Sequence, residues 1–213
     1  MSEQVTRTVL VPVARGTEEI EAVTIIDVLR RAGADVEIAA CGKQLQKTCA
    51  RGTVLMADCL LESCGNDDYS AIILPGGATG AAKMRDNEIL VEMLHRQDRA
   101  GRLIGAICAA PAIILAPNGF LEGRKATCHP DYAKNLPENT FQDKHVVADG
   151  NLVTSQGPGT ALEFTLFLTA ILFNEKRRLQ IAESMVVSGY RNKWLYQAYN
   201  ETDNIELNLR ECI

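Results

Sequence analysis

LIGAICAAPAIILA, residues 103–116, sets the architecture. Leu103–Ile107 is a continuous apolar run of strand length, and Ala109–Ala116 is an apolar run that reads as a helix. The junction between them is Cys108, followed by two alanines small enough to let the chain turn sharply, as in a nucleophile elbow. A buried strand feeding a helix is the repeating unit of a parallel sheet, and open sheets of this kind bind ligands beyond the carboxyl ends of their strands. A thiol at a helix N-terminus faces free N–H groups and the positive end of the dipole. Its pKa is therefore expected below the ~8.5 of a free cysteine. The other reading is a buried structural cysteine, because unpaired cysteine is among the most buried residue types. Local sequence does not choose between the two.

The same alternation extends outward. Thr8–Val13 (TVLVPV) reads as a buried strand, Ala14–Thr17 as a turn with Thr17 as N-cap, and Glu18 onward as a helix carrying Ile20, Val23, Ile26, Val28 and Leu29 until Gly33 stops it. Asp35–Ala40 alternates like a second strand, and Lys47–Met56 reads as a hairpin around Arg51-Gly52. Ala71–Leu74 (AIIL) is a strand closed by Pro75-Gly76-Gly77, with helices over roughly 79–83 and 87–100. Val146–Ala148 and Leu152–Ser155 flank a Gly150-Asn151 turn. Thr160–Phe173 is apolar nearly all round, so it reads as a buried helix, and a further helix runs from Glu175 to about Tyr199. Strands alternating with helices predict an α/β fold: a mainly parallel sheet with helices on both faces. No linker or repeat divides the chain. The expectation is one domain over 1–213, with its core at about 8–190 and a poorly ordered tail over 200–213.

Composition narrows the function classes. Of 213 residues, 46% are hydrophobic and 23% charged, an ordinary globular balance. The net charge of -5 and the lack of a long basic run argue against nucleic acid as a partner. Lys176-Arg177-Arg178 reads as a solvated helix start. The longest apolar stretch, 161–173, is interrupted by Glu163 and falls short of the ~20 residues that span a bilayer, so no membrane partner is expected. Met1–Thr8 is polar with both charge signs, unlike a secretory leader. With seven cysteines, an odd count, the expectation is reduced thiols and a cytoplasmic location. No C-x-x-C or H-E-x-x-H occurs and the three histidines lie far apart, so no metal site is expected.

Three further features bear on chemistry. Gly76-Gly77 after a strand lets a backbone N–H approach a ligand closely and act as an oxyanion donor, or simply makes a tight turn. Glu21 aligns with Ile25 and Val28 at helical spacing. It is therefore either a carboxyl heading an apolar face, with a raised pKa suited to proton transfer, or an exposed first-turn residue. Glu18 and Glu19 fit the first-turn preference for acidic residues. His129, read as a loop residue before Pro130, is a candidate base for Cys108 or a surface residue. No P-loop, G-x-S-x-G or G-x-G-x-x-G is present, and Pro158 in the glycine-rich segment 155–160 removes a donor that a phosphate cradle needs.

In order along the chain, Gly16-Thr17-Glu18-Glu19-Ile20-Glu21, DVLRRAG at 27–33, Leu74-Pro75-Gly76-Gly77, Ala106-Ile107-Cys108-Ala109-Ala110-Pro111, His129-Pro130 and SQGPGT at 155–160 resemble the ThiJ/PfpI superfamily, in its Parkinsonism-associated deglycase branch. The resemblance covers most of residues 8–175. It implies a flavodoxin-like fold and a homodimer with the helix of residues 18–33 near the interface. Carried over by position, Cys108 is the nucleophile, Glu21 the carboxyl that hydrogen-bonds it, Gly77 and Ala109 the oxyanion-binding N–H donors, and His129 a histidine near the site. No cofactor is implied. The activity implied is that of a glyoxalase or protein deglycase, acting on methylglyoxal, glyoxal or their adducts with thiols and amines. The rival is a redox-sensing, chaperone-like stress protein using the same cysteine. Where the protease branch places histidine after the cysteine this chain has Ala109, which removes the base a peptidase needs. Met56 stands where some relatives have another cysteine, and Gln156 where some have arginine. Beyond about residue 190 there is no firm counterpart.

Overall fold

The computed structural model describes residues 6–188. In it β1 (Thr8–Val13) pairs in parallel with β2 (Asp35–Ala40), in register from Thr8↔Asp35 to Val13↔Ala40. The hairpin of β3 (Gln46–Thr48) and β4 (Val54–Met56) stands apart as an antiparallel ribbon, and β5 (Cys59–Leu60) returns to the far edge of β2. The chain then crosses to the other side of β1. There β6 (Ala71–Leu74), β7 (Leu103–Ile107), β8 (Val146–Asp149) and β9 (Leu152–Ser155) complete the strand order β5-β2-β1-β6-β7-β9-β8. Among the described residues every pairing in this sheet is parallel except β8 with β9. This is the predicted flavodoxin-like α/β arrangement. β6 and β7 are buried along their whole length, as the near-continuous apolar runs of a sheet covered on both faces require.

Parallel crossovers are right-handed, so the reversal of direction at β1/β6 sends helices to opposite faces. α1 (Glu19–Ala32), α5 (Ala161–Leu172) and α6 (Glu175–Ser184) pack on one another, while α2 (Leu61–Cys64), α3 (Ala78–Arg85) and α4 (Glu88–Arg99) form a second group. Gly105 keeps β7 close to its neighbours: a Cβ there would lie 2.8 Å from Ile73 Cδ1 and 3.1 Å from Phe164 Cζ. No helix among the described residues is long and apolar enough to cross a membrane.

Several expectations need correction. The N-cap of α1 is Glu18, whose carboxylate accepts from the Glu21 N–H at 2.8 Å, because the Thr17 hydroxyl is turned back to accept from Ala14 N. On α1 the apolar residues Ile20 and Val23 face outward, 56% and 45% exposed, whereas Glu21 faces inward. The run after Cys108 is not a regular helix but one wide π-turn, Pro111–Leu115. α6 ends at Ser184, where Val186 adopts a left-handed φ of 57°. Residues 185–188 are not helical, and residues 189–199 of the helix expected to Tyr199 lie outside the described residues, as does the tail 200–213. Nor is its start simply solvated: Arg178 is buried and paired with Glu175, and Arg177 Nε donates to Ala32 O at 2.8 Å, capping α1. The two-residue β5, the four-residue α2 and the 3₁₀ turn Pro130–Asn135 are too short to leave a periodic signal.

Candidate active site

Cys108 ends β7 with φ +65°, a left-handed conformation that costs a non-glycine residue on the order of 1–3 kcal/mol. Two backbone bonds hold it there. Its N–H donates to Ser155 O at 2.9 Å, and its carbonyl accepts from His129 N at 2.8 Å. Cys108 is thereby fixed at the end of the sheet next to β6, beside the point where strand order reverses. The side chain is largely buried.

Glu21 reaches this point from the first turn of α1 and is fully buried. Its Oε2 accepts from the Gly76 N–H at 2.7 Å, while no donor is aimed at its Oε1. The polar side chain acting on the carboxyl is the Cys108 thiol. Gly76 fills the space between the two: a Cβ there would lie 2.7 Å from Cys108 Cβ, 2.8 Å from Glu21 Oε2 and 2.9 Å from Ile107 O. Gly77 is equally constrained, with φ +82° and a would-be Cβ 2.4 Å from Gly16 O. The Pro75-Gly76-Gly77 turn and the 16–18 loop are further tied by Glu18 N donating to Gly76 O at 3.1 Å. Two loops, each following a strand at the centre of the sheet, thus set the carboxyl against the sulfur.

The electrostatics follow from burial. Loss of solvent raises the Glu21 carboxyl to about 7, against the lowering effect of the Gly76 N–H and the thiol, with the charge of Glu18 adding a smaller push upward. The Cys108 thiol is pushed up to about 12, first by burial, then by the charge of Glu21 and its hydrogen bond. The N–H groups of Gly77 and Ala109 act on the sulfur in the opposite sense. This overturns the expectation of a lowered thiol pKa. No regular helix begins at Cys108 to supply a dipole, and its charged neighbour is an anion. Two negative charges in so small a buried space are disfavoured, so near neutrality the pair carries one at most, and a proton is exchangeable between carboxyl and sulfur.

The structure therefore brings Cys108, Glu21, Gly77 and Ala109 together. His129 is joined to Cys108 through its backbone, and its ring Nδ1 accepts from the Asp131 N–H at 3.3 Å and lies 3.6 Å from the Asp131 carboxylate. Among the described residues no hydrogen bond links the imidazole to the Cys108 sulfur. Gly76, expected to offer its N–H to a ligand or to make a tight turn, instead donates it to Glu21, and the Ser155 carbonyl is a positioning group that sequence reasoning passed over. Adjacent glycines after AIIL were the available signal for the first, and nothing local marks the second.

Residues 7–170 match the family model described as the DJ-1/PfpI family. Protein DJ-1 homolog B of Arabidopsis thaliana is 43% identical over 84% of this chain, which spans 41% of that relative's length. The Glutathione-independent glyoxalase DJR-1.2 of Caenorhabditis elegans is 36% identical over 81% of this chain and 91% of its own. The solved structure of oxidized Toxoplasma gondii DJ-1 superimposes with a TM-score of 0.84 at 40% identity, covering 86% of this chain and 100% of that one. With the family model spanning the sheet and both loops that build the cysteine–carboxyl pair, the chain belongs to the DJ-1/PfpI family.

Proposed function

We propose that the protein is a cofactor-independent glyoxalase acting on methylglyoxal, glyoxal or their adducts with thiols and amines. The observation that carries this reading is the buried Glu21 carboxyl, raised to about 7 and placed against the Cys108 thiol. A group with a pKa near the working pH can both accept and return a proton.

The Cys108 sulfur adds to the aldehyde carbon while its proton passes to Glu21 and on to the carbonyl oxygen, giving a hemithioacetal. Glu21 then removes the hydrogen from that carbon and returns it to the neighbouring carbonyl oxygen, giving an enediol. Transfer of the hydroxyl proton of the first carbon to the second carbon leaves a 2-hydroxyacyl thioester, and water releases the hydroxy acid and the thiol. One carbon is oxidised and its neighbour reduced by the same electron pair, so no external redox partner is needed. The N–H groups of Gly77 and Ala109 stabilise negative charge on sulfur or on the carbonyl oxygen as the sulfur adds. The nematode relative's name supports the glutathione-independent form of this chemistry. The test is to quench the enzyme during methylglyoxal turnover and map the acyl adduct by mass spectrometry. A lactoyl thioester on Cys108 is expected; turnover with the adduct on another residue, or with none, overturns the reading.

A second reading, oxidation of Cys108 as a redox signal, is favoured by the same carboxyl–sulfur contact and by the oxidized Toxoplasma neighbour. The exposed Ile20 and Val23 on α1 support the homodimer implied by the resemblance.

A further inference from the structure

A second cluster of thiols lies at the opposite side of the sheet. Cys59 is on the edge strand β5, Cys64 ends α2, and Glu37 projects from β2. β5 is four strands away from β7, on the order of 19 Å at the usual strand spacing. Donor atoms of these three residues all lie within 4.8 Å of one another. We propose that Cys59, Cys64 and Glu37 form a binding site for a zinc ion, independent of the chemistry at Cys108.

Three features of the cluster support it. The two sulfurs are 3.7 Å apart, and two thiolates on a tetrahedral zinc at about 2.3 Å sit about 3.8 Å from each other, so the pair already spans one edge of the coordination polyhedron. A disulfide, by contrast, needs about 2.05 Å, and both cysteines are free. The spacing is C-x₄-C, within the range that zinc-binding cysteine pairs use. Finally, the carboxylate has an outer partner: the buried Tyr69 hydroxyl donates to Glu37 Oε2, the kind of contact that orients a metal ligand and leaves the second oxygen for the ion. Cys64 is buried while Cys59 and Glu37 are partly exposed, so the cluster is closed on the protein side and open to an entering ion. On binding, each thiol releases its proton to solvent and the two thiolates with the carboxylate bond the cation. Water completes the tetrahedron. The ion would pin a two-residue strand and a four-residue helix, elements too short to be stable on their own, to β2.

The test uses the metal-free full-length protein held reduced with a phosphine. Cobalt(II) titration should give a thiolate-to-cobalt charge-transfer band and the intense visible bands of a tetrahedral site at one equivalent. Zinc should bleach both and raise the melting temperature. Cys59→Ser and Cys64→Ser should lose the charge-transfer band. Tyr69→Phe should weaken zinc about 10–100-fold, and Cys108→Ala should bind as the wild type does. Because Cys64 is buried, the partly exposed Cys59→Ser is the decisive variant, with its fold checked by circular dichroism. A charge-transfer band absent from the reduced wild type, retained in Cys59→Ser, or lost in Cys108→Ala would overturn the proposal.

Discussion

Gly76 donates its backbone N–H to Glu21 Oε2 at 2.7 Å, and its missing side chain is what lets that carboxyl meet Cys108. The glycine is both a hydrogen-bond donor to one partner and the gap between the two. A methyl group there would press on Cys108 Cβ at 2.7 Å and on the Ile107 carbonyl at 2.9 Å, and the latter is backbone that cannot swing aside. Gly76→Ala should therefore separate carboxyl from sulfur. A displacement near 1 Å costs about 10²-fold in turnover, and overpacking costs about 1–3 kcal/mol. Steady-state kinetics and urea unfolding read the two effects; wild-type turnover in this variant would show that the close approach is dispensable.

Glu21→Gln keeps the shape and the acceptor for Gly76 but cannot carry a proton, so dicarbonyl turnover should fall about 10²–10⁴-fold with the fold intact. Stability should respond to pH in a defined direction. The folded carboxyl, at about 7, lies above its ordinary 4.5, so the folded state holds the proton more tightly than the unfolded chain does. That stabilisation is full below about 4.5 and is lost as pH rises toward and through about 7, in total about 3 kcal/mol. Relative to Glu21→Gln, the wild type should thus lose stability across this window and level off above it. Chemical denaturation of both proteins at several pH values measures the difference, and parallel curves would remove the titration from Glu21.

Alkylation should report the anion beside the thiol. Burial and the Glu21 charge together push Cys108 to about 12, and Glu21→Gln removes the second of these while leaving the first. At pH about 8.5, iodoacetamide should label Cys108 faster in Glu21→Gln than in the wild type. Cys128, pushed to about 11 by burial alone, should label at the same rate in both. Peptide mapping after timed labelling separates the two thiols. A slower Cys108 in the variant would mean that Glu21 favours the thiolate in the substrate-free protein.

Much of the frame was legible because parallel strands buried on both faces leave unbroken apolar runs: Thr8–Val13, Ala71–Leu74 and Leu103–Ile107 are strands as read. The inward direction of Glu21 was one of two open readings of its spacing from Ile25 and Val28, and its burial settles that question. What could not be read depends on groups distant in sequence. The raised Cys108 thiol comes first from burial and then from the charge and hydrogen bond of Glu21, a residue 87 positions away in the chain. Arg177 looked like solvent-facing charge because its partner, the carboxyl end of α1, is brought to it only by helix packing, whereas Arg178 pairs within its own helix with Glu175 three residues earlier. His129 follows a loop path set by its backbone bond to Cys108, and its ring direction had no sequence signal.

The most direct test of the account is lactate formation from methylglyoxal without glutathione, comparing the wild type with Cys108→Ala. In the proposed reaction Cys108 bonds the substrate, while its replacement by alanine removes only the sulfur from a position held by backbone bonds to Ser155 and His129. The expected result is lactate from the wild type and none above the uncatalysed rate from a Cys108→Ala protein with a native circular dichroism spectrum. Lactate formed equally by the two proteins, or by neither, would contradict it.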